Sequence, residues 1–115
     1  METNPEKIIA NILADMAEIG DWASIADALA ANGRNSHFAS REEVMAILRV
    51  LKKSPEISVG KVEGGFLDLP DDWDPAEVAD QIFSDPQPVG AMMETFIRPT
   101  GEWPQREDGA REETS

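Results

Sequence analysis

Residues 40–70 constrain the fold most, because they read as a capped amphipathic helix followed at once by a short hairpin. Ser40 and Glu43 stand at capping-box spacing: the serine oxygen takes one free amide of the first turn, and the glutamate reaches back to another. Val44, Ile47, Leu48 and Leu51 then recur at the three- and four-residue spacing that puts side chains on one helical face. Ser54-Pro55 ends the helix, since the residue before a proline is steered out of the α region. Ile57 and Val59 alternate with Glu56 and Ser58, and Val62 extends the run. Glu63-Gly64-Gly65 permits a tight reversal with positive φ angles, and Phe66, Leu67 and Leu69 form a return strand closed by Pro70.

Three further helices are expected around this unit. Asn4-Pro5-Glu6 supplies an N-cap, a proline at the first helical position and an early acid. Ile9, Ile12, Leu13, Met16 and Ile19 follow at helical spacing up to Gly20. Trp22-Ala23 reads as a short strand, with Trp22 as a core anchor. Ser24 or Asp21 caps an alanine-rich helix that Gly33 stops. Phe38 is expected as a hydrophobic staple packing on Val44. Beyond the hairpin, Asp74, Pro75 and Glu77 predict another capped helix with Val78, Ile82 and Phe83 inward and Trp73 as its staple.

The expected fold class is therefore mainly α, an α+β arrangement: a three-helix core with a small β-hairpin, an extra C-terminal helix and a disordered acidic tail. Three parts follow along the chain. A domain spans 1–84, a proline-interrupted docking or dimerisation segment spans 85–104, and a charge-dominated tail spans 105–115. Met92, Met93, Phe96 and Ile97 make the second part a candidate partner-binding surface, including for a homodimer.

A chain of 115 residues with 41% hydrophobic residues holds one modest core. It has no cysteine, no tyrosine and one histidine, and no glycine-rich phosphate loop. That argues against an enzyme, a cofactor and a thiolate metal site, and no small-molecule substrate is expected. His37 alone makes no metal site. The acids Asp68, Asp71, Asp72 and Asp74 lack calcium-loop spacing. No signal peptide or membrane-spanning run is visible, so a cytoplasmic location is expected.

Net charge is −13, but it is unevenly spread. Residues 34–61 carry Arg34, Arg41, Arg49, Lys52, Lys53 and Lys61 against Glu42, Glu43 and Glu56, a local balance of +3. The order helix, short strand, helix, helix, hairpin over residues 4–70 resembles the winged helix-turn-helix superfamily. Residues 22–29, 40–53 and 57–69 carry the resemblance as second helix, third helix and wing. It implies DNA binding with the third helix in the major groove and the wing beside it. The superfamily also holds members that bind only proteins. Two readings follow. In the first, the chain is a DNA-binding regulator that uses Arg34, Arg41, Met45, Arg49, Lys52, Lys53 and Lys61. In the alternative, it is an acidic protein-binding module or inhibitor that engages a basic partner without binding DNA.

Overall fold

The computed structural model describes residues 4–101. Helix α1 (Pro5–Ile19) starts where Asn4 accepts a hydrogen bond from the Lys7 amide, and it stops at Gly20, whose φ of 71° only glycine adopts cheaply. Strand β1 (Ala23–Ser24) leads straight into α2 (Ile25–Ala31), where Ser24 and Asp27 form a reciprocal capping box. Helix α3 (Arg41–Lys53) has the Ser40–Glu43 capping box and two lysines in its last turn, where they suit the helix dipole. Strands β2 (Ile57–Val62) and β3 (Phe66–Asp68) form the hairpin, turning through Gly64 and Gly65 at φ 71° and 153°. Helices α4 (Pro75–Phe83) and α5 (Pro88–Met93) and strand β4 (Phe96–Pro99) follow.

The architecture is mixed α+β: among the described residues there are five helices and one antiparallel sheet in the order β1-β4-β2-β3. Ile12, Met16, Ile25, Leu29, Leu48, Leu51, Met92 and Ile97 are fully buried side chains at its centre. Helix α3 is the hub, packing against α1, α2, α4 and β2. Every buried side-chain nitrogen and oxygen among the described residues has a hydrogen-bond partner, as a well-formed core requires.

Several expectations are corrected. The hairpin forms as expected, but β2 is not its outer edge, because strand β4 pairs along the other side of β2 and makes it an interior strand. Two of the four residues read as a docking surface lie in the core instead, Met92 of α5 at 1% exposed and Ile97 of β4 at 0%. Strand β4 bridges β1 and β2, with Ile97 opposite both Ala23 and Val59. Phe38 is no staple, being 83% exposed. Residues 35–38 form a turn in which the Phe38 amide reaches the Asn35 carbonyl, and Ala39 packs on the core instead. Glu77 closes no capping box. Asp74 accepts from the Ala76 amide at 3.0 Å, one position before the amide such a box needs. The expected tail over 105–115 lies outside the described residues.

Candidate interaction surface

Helix α3 was expected to offer a polar reading face, and α4 covers part of it. Met45, assigned to that face, is 7% exposed, and Val50 is buried too. The buried stripe is wider than four positions because α4 packs on a second flank of α3. The basic residues of residues 34–61 are largely engaged within the chain. Arg34 pairs with Glu43 at 3.3 Å, across the start of α3. Arg41 pairs with Asp80 of α4 at 2.7 Å. Lys52 donates to the Asp71 carbonyl and lies over the Trp73 ring at 5.1 Å, a cation–π contact. Lys61 reaches the Thr95 hydroxyl at 3.4 Å. Arg49 and Lys53 remain exposed, and neither is joined to another described residue by a hydrogen bond or ion pair.

These two cations flank an open cavity of about 280 Å³ at the junction of α1, the end of α3 and the start of β2. Pro5, Ile9, Val50 and Pro55 give it an apolar lining, and Glu6 and Glu56 also contribute. Sequence reasoning missed this feature, because its walls come from segments some 45 positions apart that only tertiary packing joins.

On the opposite side of the charge balance, α1 and α2 pack together and bring Asp15, Glu18 and Asp27 close. Partial burial, then the charges of Asp27 and Glu18, push the Asp15 carboxyl above its ordinary range. The sequence shows these acids only as scattered positions on two helices.

The sheet face away from the helices carries a third group. Cross-strand partners share a face, so Ser58 and Arg98, Gly60 with Phe96 and Asp68, and Val62 with Phe66 all point the same way. Trp22 meets Phe66 edge-on at 5.2 Å between ring centroids. Trp22 is therefore a half-buried clasp on the outer face rather than a core anchor. The Arg98 guanidinium lies over Phe66 and grips Asp68 through two nitrogens at 2.9 and 2.7 Å. Ser58 donates to the same carboxylate, and these bonds hold Asp68 below the usual carboxylate range, the Arg98 bond contributing most. Gly60 is required beneath the ring: a Cβ there would lie 2.2 Å from the Leu67 carbonyl oxygen and 2.6 Å from the Phe66 ring. Of the four proposed partner-binding residues, Phe96 is thus half-buried on this face and Met93 is 56% exposed, while Met92 and Ile97 serve the core.

Among the described residues, no group of three or more His, Asp or Glu side chains is placed to hold a metal ion. No helix described is long and apolar enough to cross a membrane. No family model matches the chain, no curated protein matches it, and no solved structure matches it.

Proposed function

We propose that the chain is an acidic protein-binding module that engages a basic partner, and that α3 is its structural hub rather than a DNA-reading helix. One observation carries this: the basic residues that reversed the charge locally in the sequence are mostly spent inside the fold. Arg34, Arg41, Lys52 and Lys61 each contact a group of the chain itself, and Met45 is buried. A chain of net charge −13 then repels phosphate over most of its surface and attracts a cationic protein at long range. Asp15, Glu18 and Asp27 are the acids we assign to first contact. Burial, then the charges of Asp27 and Glu18, disfavour the charged Asp15 carboxyl, and a basic partner would offset that penalty.

The second reading, a winged-helix DNA regulator, keeps support from Arg49 and Lys53, which stay exposed at the end of α3. Fluorescence anisotropy separates the two. The full chain is titrated, at low and then higher salt, against a pool of short duplexes and against a lysine-rich peptide. The protein-binding reading expects salt-sensitive peptide binding that Asp15→Asn, Glu18→Gln and Asp27→Asn together weaken severalfold, with no duplex binding. Duplex binding abolished by Arg49→Glu and Lys53→Glu would overturn it in favour of DNA. Failure of the peptide to bind at low salt would overturn it outright.

A further inference from the structure

The cavity at the junction of α1, α3 and β2 presents both signs of charge around an apolar floor. Ile9 and Val50 line it and are buried, at 5% and 8% exposed. Pro5 and Pro55 add walls whose φ angle the pyrrolidine ring locks. Arg49 and Lys53 border it from α3, four positions apart and therefore on one helical face. Glu6 of α1 and Glu56, just before β2, border it as well. None of these four charged side chains forms an ion pair or hydrogen bond with another described residue. Elsewhere in the fold opposite charges do meet, as Arg41 meets Asp80 and Arg98 meets Asp68. We infer that this cavity binds a small apolar α-amino acid as its zwitterion. The carboxylate lies toward Arg49 and Lys53, the ammonium toward Glu6 and Glu56, and the side chain on Ile9 and Val50.

The charges select this class of ligand. A simple anion would gain from the two cations but be repelled by the two carboxylates, and a simple cation the reverse; a zwitterion satisfies both sets. Its own net charge is zero, so the chain's net −13 does not repel it at long range. Size agrees: about 280 Å³ falls just under the roughly 300 Å³ at which pockets for drug-sized ligands begin, which suits a single amino acid. Shape argues against a second copy of the chain, because a two-fold contact would set the concavity against itself and leave a void. The wall at residues 54–56 is built in advance. The Thr100 amide donates to the Glu56 carbonyl at 3.0 Å, and the Thr100 hydroxyl donates to the Pro55 carbonyl at 2.7 Å. The Glu56 amide donates to Ser54 Oγ at 3.3 Å. A preformed wall lowers the ordering cost of binding. The apolar floor supplies most of the affinity, since water screens charges at an open rim. The inference is independent of the basic-partner reading, because it uses none of Asp15, Glu18 and Asp27.

Methyl-detected NMR on the full chain, titrated with L-leucine at low salt, tests it. The expected result is saturable shifts of the Ile9 and Val50 methyl signals. The Leu29 and Leu48 signals should stay in place and report that the chain and its variants remain folded. N-acetyl-leucine lacks the ammonium and leucinamide lacks the carboxylate, so each should bind severalfold more weakly than leucine. Glycine keeps both charges but has no side chain, and should bind weaker by roughly tenfold or more. Arg49→Gln with Lys53→Gln should weaken leucine severalfold without weakening leucinamide. Glu6→Gln with Glu56→Gln should weaken leucine without weakening N-acetyl-leucine. No saturable shift up to about 10 mM leucine, or either blocked analogue binding as tightly as leucine, would overturn the proposal. So would Ile9 and Val50 shifts that follow protein concentration with no ligand added, which would place a second copy at the cavity.

Discussion

Truncating Ile97 to alanine separates two roles for β4, structural strand or docking surface. The side chain is fully buried, opposite Ala23 on β1 and Val59 on β2. Alanine removes Cγ1, Cγ2 and Cδ1, and at about 0.8 kcal/mol per buried carbon the transfer loss is roughly 2.4 kcal/mol. A cavity penalty adds to this, because two flanking strands hold their register and cannot collapse into the space. A total of about 3–4 kcal/mol follows, within the range seen for isoleucine truncations. For a domain whose whole stability is of order 5–15 kcal/mol, that is a large fraction. Urea unfolding followed by far-ultraviolet circular dichroism measures it, as the fall in midpoint multiplied by an m-value of about 1–3 kcal/mol/M. Met93→Ala, on an exposed neighbour, should stay within about 0.5 kcal/mol. A loss below about 1 kcal/mol for Ile97→Ala with the m-value unchanged would refute the assignment of β4 to the interior of the sheet.

Gly60→Ala should destabilise by about 1–3 kcal/mol, measured by the same unfolding curves, because the added carbon meets the Leu67 backbone oxygen rather than a movable side chain; an unchanged midpoint would contradict the close packing of Phe66 over β2. Asp15→Asn should stabilise the chain at neutral pH only slightly, by less than about 0.5 kcal/mol, because water screens a carboxylate this open to solvent. Asp15 titrates above its ordinary range in the folded state, so the native state holds more protons between the unfolded and folded values and stability falls as pH rises through that window. The gain should therefore vanish in urea titrations run below the carboxylate range, and a gain that persisted there would show another cause. Asp68→Asn should cost less than about 1 kcal/mol at neutral pH, since Asp68 and Arg98 remain 44% and 32% exposed and water screens the pair. Asp68 is held below its ordinary range, so its contribution is complete above that range and is lost as pH falls through the lowered folded value; the variant and native midpoints should converge in acid.

Local structure was legible in the sequence wherever one segment contains its own cause. The Ser40–Glu43 box, the Asn4-Pro5 start, the Ser24 cap and the Gly64-Gly65 reversal depend on neighbours within a few residues. Each formed as read, and with them came α1, α2, α3, α4 and the hairpin. The apolar stripe of α3 was legible too, because helical period alone fixes which side chains share a face. Its true width was not, since Met45 turns inward only when a fourth helix packs against it.

What tertiary structure alone decided is the role of the last strand and the fate of the charges. Phe96 to Pro99 is too short a run to signal a strand by alternation, and its partners lie some 40 and 70 positions away. Pairing with β2 and β1 put Ile97 in the core, while Phe96 stays half-buried and Met93 exposed. The basic cluster of residues 34–61 was correctly counted from sequence, but a count holds no directions. Arg41 finds Asp80 and Lys52 finds Trp73 only after α4 docks. Helix caps and turns are settled by bonds between adjacent residues. Sheet order and the neutralisation of charge are settled by which distant surfaces bury one another, and no local rule encodes that choice.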